Sequence, residues 1–351
     1  MELHNRIDKK LLEEQLANDA FERITLSLYK YQQIGNPAVF RDHLYSHLDQ
    51  LGVLGRIELA AEGINGQMSV PKEVFDHFIE LLDNISFLKG IRLNLAIEDD
   101  GKSFIKLAIR VRRKILADGL TDDTFDVTDC GTHLNAEEFN KLTDDPNTVI
   151  VDMRNHYESE VGHFSGAITP DVDTFRDSLP VIEEILEPLK GRNIVMYCTG
   201  GIRCEKASAW FKHKGFDYMH QLDGGIIEYT RQAREQGLEN KFVGKNFVFD
   251  KRMGERISDD IISNCHQCDA PGDTHVNCAN EACHLLFIQC DACKEKYEGC
   301  CCKECVQFIH LPMEKQRELR KQIDFGKSNI YHKGRVRPKL TEEIKRKLKS
   351  L

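Results

Sequence analysis

The sequence predicts a multidomain protein of mixed α+β and α/β class that ends in a cysteine-rich segment. Strand and helix patterns follow the order β-α-β-β-α-β between residues 22 and 113, which is typical of a ferredoxin-like (acylphosphatase-like) sandwich. Strands alternate with helices again after Thr148, which indicates a small parallel α/β domain. Ten of the 13 cysteines lie between Cys265 and Cys305. We place the boundaries at 1–115 for the sandwich, 116–145 for a linker, 146–240 for the parallel domain, 241–310 for the cysteine-rich segment and 311–351 for a basic tail.

The N-terminal elements follow from hydrophobic periodicity. Alternating apolar residues predict a strand over 23–30, and Asn36-Pro37 starts a helix whose apolar residues recur at helical spacing. A second strand covers 55–60, Gly63 to Gly66 forms a turn, and a second helix covers 71–82. Strands at 91–96 and 105–112 complete the sandwich. No catalytic constellation stands out in this part of the sequence.

The bulk composition is that of an ordinary soluble protein. The chain has 351 residues with 41% hydrophobic and 30% charged residues, enough for several separate cores. It contains no apolar run of 18 residues and its first residues lack an apolar signal core, so we expect a cytoplasmic protein without a membrane segment. In that compartment, clustered cysteines favour metal binding over disulfides.

The charge is unevenly distributed along the chain. The net charge is −9, yet residues 311–351 carry 13 Lys and Arg against 5 Asp and Glu. A basic tail on an acidic body suggests nucleic-acid binding, and a solvated tail helix is the alternative. Basic residues also alternate with apolar ones along the last strand of the sandwich, which indicates either an RNA-facing surface or a charged edge that resists aggregation. They are Lys106, Arg110, Arg112, Arg113 and Lys114.

The candidate functional residues of the central domain lie at the ends of its predicted strands. Strands are predicted at 148–152 and 194–197, a helical stretch at 173–189, and a further strand and turn at 221–228. Sites in parallel α/β folds form at the C-terminal ends of the strands. Asp152, Cys198 and Gly224 all fall at such ends, so we expect them at the same edge of the sheet.

Cys198 is the predicted nucleophile. It follows a buried strand and opens the loop Thr199-Gly200-Gly201-Ile202, after which a helix begins. Glycines allow the backbone N–H groups of such a loop to point inward, and a helix N-terminus favours negative charge. Arg203 adds a positive charge that should lower the pKa of the cysteine. The alternative is a buried structural cysteine, which would leave Gly200, Gly201 and Arg203 unexplained.

The cysteine-rich segment has the spacing of a metal site. Two Cys-x2-Cys pairs, Cys265 with Cys268 and Cys290 with Cys293, resemble the knuckles of zinc ribbons, and the number of ligands would allow two tetrahedral ions. We predict structural zinc, with an iron–sulfur cluster as the alternative. No 2-His-1-carboxylate pattern and no flavin or NAD fingerprint is found. Further candidate ligands are Cys278, Cys283, Cys300 and Cys305.

Four motifs of the central domain resemble those of rhodanese-like domains. They are Asp152-Met-Arg154, Gly162-His-Phe-Ser-Gly-Ala167, Tyr197-Cys-Thr-Gly-Gly-Ile-Arg203 and Leu222-Asp-Gly-Gly225. The resemblance implies a loop that can carry a cysteine persulfide, with Asp152 and Arg154 as supporting charges. Many sulfurtransferases have a charged residue directly after the cysteine, where this chain has Thr199, so thiosulfate specificity is not implied.

Residues 1–310 as a whole resemble the bacterial rhodanese-family tRNA uridine hydroxylases. Three segments carry this resemblance. They are Glu62-Gly-Ile-Asn-Gly66 in the N-terminal domain, the cysteine motif extended from Tyr197 to Trp210, and the cysteine-rich end. It implies oxygen-dependent conversion of the wobble uridine of tRNA to 5-hydroxyuridine, with Cys198 essential and molecular oxygen as co-substrate. Addition of the thiolate to C6 of uracil is the preferred hypothesis, and an oxidised sulfur on Cys198, such as a sulfenate, is the alternative. Cys204 is a candidate resolving thiol for an oxidised Cys198 or a packing residue. The alternatives are a sulfurtransferase that serves sulfur-relay proteins and a non-enzymatic RNA-binding scaffold.

Overall fold

The computed structural model describes residues 11–12, 14, 16, 22–99, 101–122, 124–320 and 330–331. Most of the basic tail lies outside the described residues, and so does the start of the predicted N-terminal domain. Within the described part of the chain, no helix is long and apolar enough to cross a membrane.

The N-terminal domain is a ferredoxin-like sandwich, as the sequence predicted. Its sheet has the strand order β4-β1-β3-β2-β5, in which β1 lies between β3 and β4, and β2 pairs parallel with β5. Buried residues from the sheet and both helices, such as Leu28, Leu44 and Phe78, form its core. The elements are β1 (Arg23–Tyr31), α1 (Pro37–Gln50), β2 (Leu54–Ala60), β3 (Gly63–Pro71), a 3-10 turn (Lys72–Val74), α2 (Phe75–Asp83), β4 (Asn94–Leu95) and β5 (Leu107–Val111).

Two details of this domain differ from the sequence-based expectation. Gly63 to Gly66 was expected as a turn but is the start of β3, which pairs with both β1 and β2. A Cβ at Gly63 would lie 2.1 Å from the carbonyl oxygen of Lys30, so this glycine permits close strand pairing. The strand expected over 91–96 is reduced to the two residues of β4.

The central domain is built on a parallel sheet with the order β6-β10-β9-β7. Its faces are covered on both sides: Phe175 and Phe211 belong to one apolar cluster, and Phe139 and Tyr229 to another. This is why strand β9 is buried at every position. The elements are β6 (Thr132–Leu134), α3 (Ala136–Thr143), β7 (Val149–Asp152), α4 (His156–Ser159), β8 (Gly162–Phe164), α5 (Phe175–Leu186), a 3-10 turn (Glu187–Leu189), β9 (Ile194–Tyr197), α6 (Ile202–His213), β10 (Met219–Leu222) and α7 (Gly225–Gln236).

The stretch 116–145, expected as a linker, contributes to the central sheet. Strand β6 pairs parallel with β10, and α3 begins with a capping box between Asn135 and Glu138. The sequence analysis missed this strand because it is only three residues long and lies in an acidic, turn-rich stretch. In the structure the parallel domain therefore includes residues well before 146.

The C-terminal segment is attached to the central domain by a small sheet with the order β12-β11-β8. A two-stranded hairpin and three short helices follow, and buried cysteines make up much of their core. The elements are β11 (Phe242–Asn246), β12 (Glu255–Arg256), β13 (His275–Asn277), β14 (Leu286–Ile288), α8 (Asp291–Lys296), α9 (Lys303–Ile309) and α10 (Met313–Arg320).

Candidate active site

Cys198 lies in the loop between β9 and α6 and is fully buried. Its Sγ accepts a hydrogen bond from the backbone N–H of Gly201 at 3.2 Å. Gly201 has a φ of 101° at the start of α6, and a Cβ there would lie 2.6 Å from the hydroxyl of Tyr29. Glycine at this position therefore allows both the left-handed turn and the approach of the neighbouring domain.

The positive charge beside the thiol is held by a buried carboxylate. Arg203 makes a bidentate ion pair with Glu158, at 2.6 Å and 2.8 Å, and both side chains are almost completely buried. Burial would lower the pKa of Arg203, but the Glu158 carboxylate raises it above its ordinary value. The guanidinium is therefore fixed in position and in charge beside Cys198.

The surroundings of Cys198 favour its thiolate. Burial raises the pKa of this thiol, whereas a hydrogen bond from Cys204, the charge of Arg203 and backbone N–H groups lower it, and the net pKa is about 6. The pKa of Cys204 is raised well above its ordinary value, by burial first and then by its contact with Cys198. Cys204 therefore stays protonated and acts as a donor to the Cys198 thiolate.

The reactivity of Cys198 is expected to titrate with a midpoint near pH 6. Below that pH the thiolate fraction falls about tenfold per pH unit, whereas an ordinary thiol keeps gaining reactivity up to about pH 8.5. The measurement is the rate of alkylation of the Cys198 peptide by iodoacetamide, followed by mass spectrometry at a series of pH values. The same peptide in urea-unfolded protein is the reference, because an exposed thiol titrates near about pH 8.5. A Cys198 midpoint near that of a free thiol would contradict this electrostatic account.

Asp152 and Arg154 form a second buried ion pair beneath the loop. Arg154 Nη2 lies 2.6 Å from Asp152 Oδ2, donates to the carbonyl of Gly162 at 2.6 Å, and is fully buried together with Asp152. The hydroxyl of Tyr197, the residue before Cys198, also donates to Asp152 at 2.7 Å. This pair contacts the strand that carries the loop.

The first turn of α7 supports the cysteine loop. The backbone N–H of Ile226 donates to the carbonyl of Cys198 at 3.0 Å, and that of Ile227 donates to the carbonyl of Thr199 at 3.2 Å. A Cβ at Gly225 would lie 2.5 Å from the Cys198 carbonyl. The glycine therefore permits this close backbone contact, which fixes the start of the loop.

The N-terminal sandwich covers the loop from the other side. Asn94 of β4 donates to the carbonyl of Gly200 at 3.3 Å, and the hydroxyl of Tyr31 donates to the carbonyl of Ile202 at 3.4 Å. Lys206 of α6 pairs with Glu62 at 2.7 Å. The sequence showed no catalytic constellation in the sandwich, but the structure makes the sandwich one wall of the site.

A cavity of about 540 Å³ lies between the sandwich, the cysteine loop and the segment after β11. Its volume is in the range of small-molecule sites. Cys198, Thr199, Gly200, Ile202 and Arg203 contribute to its wall. Amide and aromatic side chains also line it, namely Asn65, Gln67, Asn94, Tyr29, Tyr157, Phe104 and Phe249.

A second depression continues from this cavity along the edge strand β5. It shares Phe104 and Phe249 with the cavity, and we call it the basic groove after Arg56, Lys106, Arg110 and Lys251, which line it. The basic strand edge noted in the sequence therefore lies next to the cysteine site.

The cysteines of the C-terminal segment converge in two groups. Cys265, Cys268, Cys290 and Cys293 form the first, as the two Cys-x2-Cys pairs suggested, and the Sγ atoms in each group lie within 4.8 Å of one another. The second group contains Cys278, Cys283, Cys301 and Cys305. Such groups of four thiols can hold metal ions.

Cys300, which the sequence offered as a ligand, is replaced by Cys301 in the second group. The Sγ of Cys301 lies 3.7 Å from that of Cys283 and 3.8 Å from that of Cys305. Cys305 sits in the first turn of α9, which brings its side chain back toward Cys301. Spacing alone could not choose between adjacent cysteines, because their side chains leave the backbone in different directions.

Glu158 is one of the site residues that the sequence analysis missed. Glu158 lies in helix α4, whose N-cap is Asn155, and its carboxylate accepts from the Asn155 N–H at 3.0 Å. The position of Glu158 in the sequence therefore indicates only a helix cap. The same carboxylate pairs with Arg203, 45 residues further along the chain. Asn94 and Phe249 were also missed, because they reach the cavity from other domains.

Three family profiles match separate parts of the chain. They are described as a UPF0176 acylphosphatase like domain over residues 23–115, a Rhodanese-like domain over 135–232 and Rhodanase C-terminal over 243–306. A protein of Leptospira interrogans named tRNA uridine(34) hydroxylase is 52% identical over 97% of this chain and 92% of its own length. Proteins with the same name from Pectobacterium carotovorum and Yersinia pestis are 54% and 52% identical over 95% of this chain and 94% of theirs.

Proposed function

Because this chain belongs to the family of tRNA uridine(34) hydroxylases, we propose that it hydroxylates uridine 34, the wobble uridine of tRNA, with Cys198 as its nucleophile. The observation that carries the proposal is a thiol with a pKa of about 6 in the wall of a cavity of about 540 Å³. The cavity has room for a nucleobase. A hydroxylation of this type is an oxidation, and we propose molecular oxygen as the co-substrate.

The lining of the cavity suits a uracil base turned out of the anticodon loop. Enzymes that modify a base usually extrude it into a pocket, stack it on aromatic side chains and bind its edge with hydrogen bonds. Asn65, Gln67 and Asn94 supply amides that can donate to the uracil carbonyls and accept from its imide N–H. Tyr29, Tyr157 and Phe249 supply the aromatic surfaces.

Cys198 activates the base by covalent addition. The thiolate forms an S–C6 bond, and the electron pair of the C5–C6 double bond moves toward C5 and the O4 carbonyl. C5 then becomes the electron-rich carbon that takes one atom of molecular oxygen. The other oxygen atom leaves as water, with two electrons and two protons supplied by an external thiol reductant. Loss of the C5 proton and departure of the thiolate restore the double bond and release Cys198. Arg203 keeps the thiolate ionised before the attack and after its release.

The basic groove is proposed to bind the tRNA backbone near the cavity. Replacing Arg110 and Lys106 with glutamate is expected to weaken tRNA binding at least about tenfold and to flatten its salt dependence, because each lost phosphate contact removes about one unit of slope. The measurement is tRNA affinity at several salt concentrations. Lys190→Glu on the central domain is the control. Equal losses for the groove variant and the control would contradict this placement.

The test of the proposed function is nucleoside mass spectrometry of tRNA from cells that lack the protein. We expect 5-hydroxyuridine and its derivatives to be absent and to return when the wild-type gene is supplied. Unchanged hydroxylation accompanied by loss of thiolated nucleosides would instead favour the sulfurtransferase function, with sulfur-relay proteins as partners. We further propose that the enzyme acts in the cytoplasm, where its tRNA substrate is found.

We also propose that the two cysteine groups hold structural zinc. Four thiolates at about 2.3 Å from a tetrahedral ion lie about 3.8 Å from one another. The separations of 3.6 Å between Cys268 and Cys290 and 3.7 Å between Cys283 and Cys301 fit this geometry. An iron–sulfur cluster would place several metal atoms between the thiolates and hold them further apart. Zinc would stabilise a segment that has few other apolar residues.

A further inference from the structure

A third group of metal-binding side chains lies in the central domain, away from both cysteine groups. Cys130 precedes strand β6, His133 lies on β6, and Glu205 is in the first turn of α6. Their ligand atoms, one from each residue, lie within 4.8 Å of one another. We propose that these three side chains bind one divalent transition-metal ion, which goes beyond the proposed tRNA hydroxylation.

The fold brings the three residues together from separate elements. Strand β6 pairs in parallel with β10, and the register places His133 beside Gln221. Ser208 of α6 fixes this edge, because it accepts from the N–H of Gly131 at 2.8 Å and donates to Gln221 Oε1 at 2.6 Å. The Gln221 amide is therefore oriented with its NH₂ group toward His133 and Glu205.

With the Gln221 amide in this orientation, neither the protonated nor the unprotonated form of His133 Nε2 suits both of its neighbours, Glu205 and Gln221. His133 Nε2 lies 3.0 Å from Glu205 Oε2 and 2.6 Å from Gln221 Nε2. If Nε2 carries a proton, it donates to Glu205 but meets the N–H of Gln221. If Nε2 is unprotonated, it accepts from Gln221 but faces the lone pairs of the carboxylate.

A bound cation removes the repulsion between the lone pairs of His133 and Glu205. His133 Nε2 and Glu205 Oε2 then both direct lone pairs at the ion, and the Cys130 thiolate supplies a third donor. Gln221, which is buried and hydrogen-bonded to Glu205, remains a donor to the ligating carboxylate, as outer-shell partners of metal sites commonly are. The arrangement therefore has three ligands and an orienting group.

The donor set indicates the class of metal. One sulfur, one imidazole nitrogen and one carboxylate oxygen suit Zn²⁺ or a similar ion such as Co²⁺ and differ from the four sulfurs of each C-terminal group. The side chains of His133 and Glu205 are 41% and 21% exposed, so water can occupy the fourth position. The ion would link the edge strand β6 to helix α6, the helix that begins at the cysteine loop.

The test is the number of metal ions bound by the full-length protein. After removal of metal with a chelator and saturation with Co²⁺, we expect His133→Ala and Cys130→Ser to bind one ion fewer per chain than the wild type. The lost component of the Co²⁺ spectrum should show the weaker thiolate-to-metal band of a single sulfur ligand. Cys268→Ser, in a C-terminal group, should remove a component with the stronger band of several sulfurs.

His213→Ala is the matched control for this test. His213 is also on α6, is 37% exposed and lies 3.3 Å from a carboxylate of Asp122, and it belongs to none of the three groups of ligands. Thermal melts of the metal-free proteins identify variants that fail to fold, and His133→Ala changes an exposed side chain. Equal metal content in the wild type, His133→Ala and Cys130→Ser would overturn the proposal, whether or not the enzyme hydroxylates tRNA.

Discussion

Cys198→Ser is expected to reduce formation of 5-hydroxyuridine by about 10³-fold or more, because a serine hydroxyl is not ionised at neutral pH and is a far weaker nucleophile. Both side chains are small, so the variant should fold and bind tRNA. The measurement is turnover of unmodified tRNA by the purified protein, with product nucleosides quantified by mass spectrometry. Wild-type protein should also form a covalent adduct with the base that Cys198→Ser cannot form.

Cys204→Ser is the matched control, because Cys204 is also buried and contacts Cys198. If Cys204 acts only as a hydrogen-bond donor to Cys198, serine can replace it, because the serine hydroxyl is also a donor. Turnover by Cys204→Ser should then fall by less than about tenfold. If Cys204 instead resolves an oxidised Cys198, its variant should complete one turnover and then stop. Full activity of Cys198→Ser would eliminate the nucleophilic mechanism.

Asp152→Asn is expected to lower the free energy of unfolding of the central domain by about 3–5 kcal/mol, because it leaves the fully buried Arg154 without its counter-charge. The hydroxyl of Tyr197 also loses its carboxylate acceptor. The measurement is urea unfolding followed by the fluorescence of Trp210, the single tryptophan of the chain, which packs in the core of this domain.

Two further variants serve as controls for the effect of Asp152→Asn. Lys190→Ala removes an exposed ion pair with Glu187 in the same domain, and such pairs contribute less than about 1 kcal/mol. The double variant Asp152→Leu with Arg154→Met replaces both charges by apolar groups and should recover much of the lost stability. A loss for Asp152→Asn no larger than that for Lys190→Ala would show that the buried pair does not stabilise the domain.

The fold class and the cysteine loop could be predicted because both depend on residues that are close in the sequence. Apolar periodicity marked strand β9, and two glycines followed by Arg203 marked the turn at Cys198. The Cys-x2-Cys pairs likewise predicted the first cysteine group, since two residues between ligands are enough to place both thiols on one ion. In each case local backbone geometry fixes the arrangement.

The sequence by itself therefore determined the loop that carries Cys198, the parallel sheet behind it and most members of the two cysteine groups. Tertiary structure alone decided that Glu158 holds Arg203, that Asn94 and the N-terminal sheet close the cavity, and that Cys301 replaces Cys300. It also decided that Cys130, His133 and Glu205 meet. The physical reason is that these contacts join elements far apart in the chain, and their partners are selected by packing and strand register.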